Sequence, residues 1–353
     1  MELTNVVIAG VGSAGTGREI MKAFKMVKGK YKIIATDMNN KSLGIHDTPN
    51  RYVIPPAKSN EYINALLKIC KKENASVLVP GSDKELEKIS ENRKKFEDEG
   101  IIVLINSKDV IQKCSDKFEL INFLNKKGII CPKHSLYNNE KDVEEINYFP
   151  IIVKPKSGGG SKNVFFAQDK DEAKFFCKYL IKYGLEPIIE EHIGNYQEEY
   201  TVGILYADNG KLLTSIAMKR LLTGGLSTRQ SIVNPNTNEK YVISSGISQG
   251  IVEDFGEVRK MGEKIAKIIE ADGPINIQCR KTENGIIPFE INPRFSGTTG
   301  GRALLGHNEP DILCQYRLFG KIPEKIEYKF GYVIRDLTEK FIGFKEIEEI
   351  PKI

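Results

Sequence analysis

The first hundred residues repeat a short apolar run followed by a longer stretch in which apolar and polar residues recur at helical spacing. The apolar runs lie at 5–9, 32–37, 76–80 and 101–106, and the helical stretches include 16–27 and 60–72. Strands that alternate with helices in this order are typical of a parallel sheet covered by helices. The pattern therefore predicts an α/β domain over residues 1–107.

The turn from Gly10 to Gly15 joins the first predicted strand to the first predicted helix. Its spacing is GxGxxG, and Asp37 ends the next strand about 20 residues later, which fits a dinucleotide-binding fingerprint. An NAD-dependent oxidoreductase is therefore one interpretation. The other is structural, because a tight strand-to-helix turn requires glycine whether or not a nucleotide binds.

Two acidic residues, Asp83 and Glu85, follow the apolar run at 76–80. Ligands bind at the carboxyl ends of the strands in open parallel sheets, so both residues are candidate substrate contacts. The alternative is that Ser82 or Asp83 only caps the helix that follows.

Beyond residue 107 the pattern changes to strands joined by hairpin loops. An apolar strand at 149–155 carries Lys154 near its end, and a loop with three glycines, Lys156 to Lys162, leads into the strand 163–166. Such a loop can place backbone N–H groups over phosphates and close as a lid. The spacing is not that of a Walker loop, so a flexible turn is the alternative.

The next strands carry further charged residues at their ends. One strand, 187–193, ends at Gly194, and Glu199 begins a second long strand. Two more strands are predicted at 211–218 and 230–233, with a glycine-containing basic loop between them that includes Arg220 and Arg229.

The most informative stretch is a predicted hairpin that carries Gln278 on one strand and Glu290 and Asn292 on the other. Alternation places Glu290 and Asn292 on one face, with Phe289 and Ile291 on the other. A three-residue loop would pair Gln278 with Glu290, whereas a two-residue Asn284-Gly285 loop would shift the register by one. The first register gathers oxygen ligands suited to Mg²⁺, and Arg294 just beyond suits a phosphate.

Composition narrows the class of protein. The 353 residues include 28% charged and 40% hydrophobic positions with a net charge of +5, and no single-sign block that would favour nucleic acid or a membrane surface. No apolar run is long enough to span a bilayer, and the N-terminus lacks a signal-peptide pattern, so we expect a cytoplasmic protein. The cysteines show no metal-binding spacing.

Taken together, the motifs resemble those of the ATP-grasp superfamily, and within it the single-chain relatives of the carbamoyl-phosphate synthase large subunit. The motifs that carry the resemblance occur in the expected order: Ile152-Val153-Lys154-Pro155 with the glycine loop, Glu190-Glu191-His192-Ile193, Glu199-Tyr200-Thr201-Val202, and Glu290-Ile291-Asn292-Pro293-Arg294. The resemblance implies a Rossmann-like pre-ATP-grasp domain (1–107), an α+β ATP-grasp fold of two subdomains (108–188 and 189–325), and a C-terminal tail (326–353).

The resemblance also implies roles for individual residues. Lys117 and Lys154 would hold the phosphates of ATP under a lid formed by Ser157, Gly158, Gly159, Gly160 and Ser161. The adenine would meet the backbone of Glu190, Glu191, His192 and Ile193, although a histidine at position 192 departs from the usual large apolar residue, and Glu199 would take the ribose hydroxyls. Two Mg²⁺ ions, replaceable by Mn²⁺, would be bound by Gln278, Glu290 and Asn292. Catalysis would depend on Arg294, Lys154 and Glu290.

The remaining candidates line the implied substrate side of the cleft. They are Gly12, Ser13, Asp83, Glu85, Arg220, Arg229 and Arg294, and one of the two loop arginines would pair with a substrate carboxylate.

The leading hypothesis is a ligase that activates a carboxylate as an acyl phosphate, releases ADP and joins the acyl group to an amine, with an amino acid as substrate. Carboxyphosphate or carbamate chemistry is the alternative within the superfamily. An oxidoreductase using Gly10 to Gly15 and a non-catalytic nucleotide sensor are alternatives from other classes. We expect small-molecule substrates, no nucleic-acid or membrane partner, and leave a homodimer open.

Overall fold

A parallel sheet forms the first domain, as the α/β pattern predicts. The computed structural model describes residues 3–12, 15–160, 162–234, 238–247, 249–322, 324 and 326–353. The sheet has the order β3-β2-β1-β4-β5, and every neighbouring pair is parallel. Its elements are β1 (Thr4–Ala9), α1 (Thr16–Met26), β2 (Tyr31–Asp37), β3 (Arg51–Val53), α2 (Tyr62–Lys72), β4 (Val77–Pro80), α3 (Asp83–Glu91), α4 (Arg93–Glu97) and β5 (Ile102–Val103), with a 3₁₀ turn at Leu43–Asp47.

The glycine turn after β1 is required by close packing. Gly10 has a φ of +79°, a conformation that favours glycine. A β-carbon on Gly17, in the first turn of α1, would lie 2.2 Å from the carbonyl oxygen of Gly10 and 3.0 Å from Cα of Gly81. The start of α1 therefore rests directly on the ends of β1 and β4, which gives these glycines a structural role.

The first subdomain contains an antiparallel sheet with the order β6-β9-β7-β8. Its elements are α5 (Lys108–Ser115), α6 (Lys117–Lys126), β6 (His134–Leu136), α7 (Glu140–Glu144), β7 (Ile151–Pro155), β8 (Phe165–Ala167), α8 (Lys170–Lys182) and β9 (Pro187–Glu191). The helices α5 and α6 do not share the core of this sheet. Their buried residues Val110, Leu120 and Leu124 pack with Val202 and Ile265 of the second subdomain.

The second subdomain is a larger sheet with the order β16-β15-β10-β11-β14-β17, together with the hairpin β12–β13. Its elements are β10 (Glu199–Tyr206), β11 (Leu212–Arg220), β12 (Thr228–Val233), β13 (Lys240–Ser244), β14 (Gly250–Val252), α9 (Gly256–Ile268), β15 (Pro274–Thr282), β16 (Gly285–Asn292), α10 (Thr299–Leu304), α11 (Glu309–Phe319), β17 (Gly331–Val333) and α12 (Phe344–Glu348), with a 3₁₀ turn at Tyr196–Glu198. No helix among the described residues is long and apolar enough to cross a membrane.

The β15–β16 hairpin pairs Gln278 with Glu290, which is the register that gathers the predicted metal ligands. The route to this register differs from the prediction. Thr282 pairs with Gly285, so the turn has two residues, Glu283 and Asn284, instead of three. The register then shifts between Gln278 and Cys279, where Phe289 is the extra residue on β16. The bulge restores the pairing that a longer loop would have produced.

The C-terminal segment contacts both the large sheet and the first domain. β17 pairs with β14 and extends the large sheet. The last residues then reach the first domain, where the Val53 amide donates to the Pro351 carbonyl at 2.8 Å and the Ile353 amide donates to the Val53 carbonyl at 3.1 Å. Ile350 is buried in the core of the first domain beside Leu205 and Phe295, so the first domain and the second subdomain share one core.

A buried ion pair lies beneath the large sheet. Arg302 (1% exposed) and Glu309 (2% exposed) are 3.3 Å apart, and the Arg302 Nη2 group donates to Thr201 Oγ1 at 3.2 Å and to Asn276 Oδ1 at 3.0 Å. A β-carbon at Gly203 would lie 2.1 Å from Arg302 Nη1. The guanidinium therefore holds α10 and α11 against β10 and β15.

We expect Arg302→Ala to lower the free energy of unfolding by about 3–5 kcal/mol, because Glu309 would be left buried without its cation. Denaturant unfolding followed by circular dichroism measures the change. Arg93→Ala is a matched control, since Arg93 pairs with a partly exposed Glu97 on one helix, and such pairs contribute about 0.3–0.5 kcal/mol. Equal losses in the two variants would contradict a structural role for the buried pair.

Candidate active site

Lys154 lies near the end of β7 and is buried against Glu190 on the neighbouring strand β9. The Lys154 ammonium is 2.8 Å from both carboxylate oxygens of Glu190, and the two residues are 6% and 3% exposed. The same ammonium donates to the Phe289 carbonyl at 3.4 Å, which joins the two sheets across the cleft. Lys154 thus stands next to the β16 residues that the sequence grouped with it.

The glycine loop lies over this part of the cleft. Lys117 donates from its side chain to the Gly158 carbonyl at 2.5 Å, and its amide donates to the Lys156 carbonyl at 3.1 Å. A β-carbon at Gly159 would lie 2.5 Å from Asp83 Oδ2, so the loop also touches the first domain. Burial, and next the charge of Lys154, lower the pKa of Lys117, which indicates two cations held close together.

The predicted metal ligands form a row on β15 and β16. Gln278 donates from Nε2 to Glu290 Oε2, and Gln278 Oε1 accepts a hydrogen bond from Arg220 at 2.6 Å. Asn292 Oδ1 accepts a hydrogen bond of 3.4 Å from Arg294. These side chains share one rim, as the alternation along the strand predicts.

Two arginines surround Glu199. Arg220 donates to Glu199 Oε1 at 2.7 Å, and Arg280 donates to Glu199 Oε2 at 2.9 and 3.1 Å. All three residues are at most 5% exposed. Tyr200 pairs with Lys219 across β10 and β11, and β11 continues as far as Arg220, which brings its side chain to Glu199.

This position corrects the prediction for Arg220, which placed it in a loop on the acceptor side of the cleft. Arg220 is instead the last residue of β11, and its remaining hydrogen bonds go to Ser244 Oγ and the Ser245 carbonyl. It therefore belongs to the same cluster as Glu199 and Gln278, which the resemblance assigns to the nucleotide. Arg229 is exposed on β12, and no ion pair of its side chain is seen within the described part of the chain.

The segment after β9 is held by Arg280. This arginine donates to the Ile193 carbonyl at 2.9 Å and to His192 Nε2 at 2.6 Å. His192 lies between the rings of Phe166 and Tyr241, both 5.1 Å from its own. Burial and the charge of Arg280 lower the pKa of His192 to about 3, so the ring is neutral and accepts the hydrogen bond.

Arg294 links the hairpin to the first domain. It donates from Nε to Asp83 Oδ1 and from Nη2 to Asp83 Oδ2 at 3.4 Å. Burial acts to raise the pKa of Asp83, but the guanidinium outweighs it and lowers that pKa below its ordinary value. Ser82, not Asp83, caps α3 by accepting a hydrogen bond from the Glu85 amide, which leaves Asp83 facing the cleft.

The glycine turn of the first domain is flanked by carboxyl groups. A β-carbon at Gly10 would lie 2.0 Å from a carboxyl oxygen of Glu85, and one at Gly12 would lie 3.8 Å from Asp37 Oδ2. Burial raises the pKa of Glu85 to about 7, with the charges of Asp37 and Asp83 adding to the effect. This edge of the sheet is therefore acidic.

Some predicted residues stand apart from these clusters. Glu191 turns toward Lys133, 3.7 Å away, and Ser157 is exposed on the loop. Ser13 and Ser161 lie outside the described residues.

Sequence reasoning missed Arg280 as a functional residue. Arg280 lies two residues after Gln278 on the same strand, and this alternation could have indicated that the two side chains share a face of the sheet.

The oxygen-bearing side chains suit a magnesium ion that arrives with phosphates. Within the described ranges, no group of three or more His, Cys, Asp or Glu side chains is placed to hold a metal ion. The row of Gln278, Glu290 and Asn292 contributes one carboxylate and two amides. Mg²⁺ is commonly bound by one or two carboxylates plus substrate phosphates, so this donor set fits the ion bound to a nucleotide.

Two family models match separate parts of the chain. Residues 9–104 match the N-terminal domain of PylC-like proteins, and residues 196–340 match an ATP-grasp domain described from a biosynthetic pathway with the Ter operon. The boundary of the first match agrees with the parallel-sheet domain. The second match contains the rim formed by β10, β15 and β16.

Individual proteins are similar over different shares of the chain. A D-alanine–D-alanine ligase of Fusobacterium nucleatum is 43% identical over 86 residues, which is 24% of this chain and only 25% of that ligase. A carbamoyl-phosphate synthase of Methanobrevibacter smithii is 23% identical over 88% of this chain and 84% of its own length. The structure of the biotin carboxylase domain of Hydrogenobacter thermophilus 2-oxoglutarate carboxylase, solved with MgADP and bicarbonate, aligns with a TM-score of 0.64 and 16% identity, covering 94% of this chain and 74% of that one.

Arg220→Ala and Arg229→Ala form a matched pair that tests the positions of these arginines. We expect Arg220→Ala to lower the free energy of unfolding by about 3–5 kcal/mol, because it removes one of the two cations that neutralise buried Glu199. Arg229→Ala should change it by less than about 0.5 kcal/mol, as for other exposed substitutions. Urea unfolding at constant pH makes the comparison, and similar values for both variants would contradict the placement of Arg220.

Proposed function

Because this chain belongs to the ATP-grasp superfamily of ligases, we propose that it uses ATP to activate a carboxylate as an acyl phosphate and then joins the acyl group to an amine. ADP is the nucleotide product, and an amino acid is the substrate class proposed for at least one side. The match to the D-alanine–D-alanine ligase supports an amino-acid substrate, although it covers only a quarter of that protein.

One observation carries this proposal, namely that the cleft gathers cations and magnesium-type oxygen ligands on facing strands. Lys154 approaches within 3.4 Å of the Phe289 carbonyl, immediately before Glu290, and Arg294 approaches within 3.4 Å of Asn292 Oδ1. Transfer of a phosphoryl group to a carboxylate brings two anions together, so it requires this concentration of positive charge.

The proposed roles follow from the contacts of each cation. Lys154 and Lys117 are proposed to receive the phosphates, since Lys154 lies on β7 two residues before the loop of residues 156–160 and Lys117 donates to that loop. Arg294 stands between Asn292 and Asp83, at the border of the nucleotide and acceptor sides, where it can steady the group in transfer. The loop covers the reacting groups and excludes water, which would otherwise hydrolyse an acyl phosphate.

Gln278, Glu290 and Asn292 are proposed to hold two Mg²⁺ ions, or Mn²⁺ in their place, with Glu290 as the carboxylate of the set. When bound, the ions supply positive charge that neutralises and orients the phosphates. Gln278 must turn its amide for this role, because its Nε2 group now donates to Glu290 and its oxygen accepts from Arg220.

The nucleotide base and sugar are assigned to the segment after β9 and to Glu199. Arg280 fixes this segment through the Ile193 carbonyl and the neutral His192 ring, which keeps its backbone in place for adenine. Glu199 is proposed to take the ribose hydroxyls while Arg220 and Arg280 hold its carboxylate. Arg220 then contributes to nucleotide binding and not to the acceptor.

Carboxyphosphate or carbamate formation remains the second candidate. The similarity to the carbamoyl-phosphate synthase of Methanobrevibacter smithii extends over 88% of this chain and supports it. Bicarbonate-dependent ADP release without any added amino acid would favour this candidate over the amino-acid ligase.

The glycine turn argues against the dinucleotide interpretation. A pyrophosphate bound there would face the carboxyl group of Glu85, which lies beside Gly10, whereas Asp37 is an acid that the dinucleotide fingerprint itself includes. Like charges repel, and no lysine or arginine among the described residues forms an ion pair with Glu85. Cytoplasmic localisation and a homodimer stay predictions, the latter testable by light scattering.

We expect ATP with Mg²⁺ to raise the melting temperature, while NADH and NADPH leave it unchanged. A ligand that binds only the native state at 100 times its dissociation constant stabilises it by about 2.7 kcal/mol. Differential scanning fluorimetry measures the melting temperature. Mg²⁺ without nucleotide is the control, and it should raise the melting temperature only slightly because the site offers it a single carboxylate. Stabilisation by NADH and none by ATP would refute the ligase proposal.

Glu290→Gln should reduce ADP release by about 100-fold or more, because the ions would lose their shared carboxylate. A coupled assay with a panel of amino acids measures ADP release, and unfolding by urea confirms that the variant is folded. Glu283→Gln is the matched control, as Glu283 is exposed in the turn of the same hairpin. Normal turnover in Glu290→Gln would remove Glu290 from the mechanism.

A further inference from the structure

Two carboxyl groups of the first domain flank the glycine turn, and Tyr62 packs in the adjoining core. Asp37 ends β2 and Glu85 lies in the first turn of α3. Tyr62 begins α2 and shares a buried cluster with Ala9, the residue before the turn, and Leu86, the residue after Glu85. β2, β1 and β4 are adjacent in the sheet, so the segments after them meet at one carboxyl edge. The carboxyl groups of Glu85 and Asp37 flank this turn from its two sides.

Two of these groups have no hydrogen-bond partner. Tyr62 is 1% exposed, and its hydroxyl is buried without a donor or acceptor opposite it, as is Glu85 Oε2. Burial, and next the charge of Glu85, raise the pKa of Tyr62, so its phenol keeps its proton and can both donate and accept a hydrogen bond. A buried polar group left unpaired costs about 1–3 kcal/mol, so a native structure that keeps two such groups together needs a reason.

The third side chain, Asp37, has hydrogen bonds but no cation. Its Oδ1 atom accepts a hydrogen bond of 2.9 Å from the Asn39 amide. Burial raises the pKa of Asp37, although hydrogen bonds from the Asn39, Gly12 and Met38 amides and the Ser42 side chain act to lower it. No lysine or arginine forms an ion pair with Asp37 or Glu85 anywhere in the described part of the chain. The cluster therefore has two carboxyl groups without a positively charged partner.

The chemistry of the cluster selects its ligand. The carboxylates repel phosphate and carboxylate groups, and within the described residues no group of three or more His, Cys, Asp or Glu side chains is placed to hold a metal ion. A primary ammonium group has three N–H donors and a positive charge, and these match the three acceptors. We propose that Asp37, Tyr62 and Glu85 form a subsite for the ammonium group of the amine substrate, an assignment that rests on the proposed ligase function.

The position of the cluster agrees with this assignment. Asp83 precedes Glu85 by two residues and is bonded to Arg294, which is proposed to steady the phosphoryl group. An amine held by Glu85 would therefore enter from the first domain, on the side of the cleft opposite Glu199 and Arg220. The acidic cluster and the cationic rim thus divide the cleft by charge.

A binding experiment tests the subsite without any catalytic step. Methylammonium chloride is titrated into the full chain at constant ionic strength, with sodium chloride and neutral acetamide as comparison solutes, and the melting temperature is recorded. Methylammonium should stabilise the wild type beyond both comparison solutes. Glu85→Gln and Tyr62→Phe should lose this difference, and Glu87→Gln, on the exposed side of α3, should keep it.

A kinetic experiment separates this subsite from the proposed function. With the amino acid that best stimulates ADP release, Glu85→Gln should raise the amine KM at least tenfold, in line with a lost charge-assisted hydrogen bond, while the ATP KM stays the same. Hydroxylamine, an uncharged nucleophile, should restore ADP release in the variant.

The outcomes are distinguishable. Stabilisation by methylammonium that depends on Glu85 and Tyr62 supports the subsite, whatever the result of the ADP assay. Failure of every amino acid to stimulate ADP release counts against the ligase proposal and not against the subsite. The subsite is refuted if methylammonium does not stabilise the wild type beyond the comparison solutes. It is also refuted if both folded variants keep that stabilisation. Circular dichroism and urea unfolding establish that each variant is folded.

Discussion

A carboxylate taken out of water needs a cation, and this requirement organises the cleft between the two sheets. Glu199 is enclosed by Arg220 and Arg280, and Lys154 by Glu190, all at most 6% exposed. Ion pairs buried to this degree gain little net stability, because desolvation offsets their attraction, yet losing either partner is costly. The cleft therefore keeps its charged residues as matched sets, and the strands that carry them must keep their register.

Such pairing has a functional side, because two of the cations proposed to meet a substrate already have an internal carboxylate partner. Lys154 has Glu190, and Arg294 has Asp83. Binding of an anionic nucleotide then exchanges one ion partner for another instead of bringing charge into an unprepared site. The free energy needed to order these side chains is supplied when the protein folds, so the site is preorganised before the nucleotide binds. The acidic edge beside the glycine turn differs, since no lysine or arginine among the residues that the structure describes forms an ion pair with Asp37 or Glu85.

Sequence reasoning predicted the parallel sheet and the shared face of Gln278, Glu290 and Asn292, because strand periodicity is a local property. It left two registers open for the hairpin, and the register that pairs Gln278 with Glu290 was expected to require a three-residue loop. A two-residue turn and a bulge at Phe289 produce the same register, and no local pattern separates the two routes. Arg220 was misplaced because a strand end depends on pairing with β10, which only the tertiary structure supplies. Tyr62 gave no signal, since an aromatic residue at the start of a helix usually belongs to the core.

The contact between the chain's last residues and β3 has a consequence for synthesis on the ribosome. Val53 exchanges hydrogen bonds with Pro351 and Ile353, and Ile350 fills part of the first domain's core. The first domain therefore emerges with an open sheet edge and an incomplete core, and both stay so until residues 108–350 have been translated. Exposed strand edges are sites of unwanted pairing between chains. The nascent first domain would thus be a natural client for chaperones that bind early in translation, and its dependence on them should end once the tail docks.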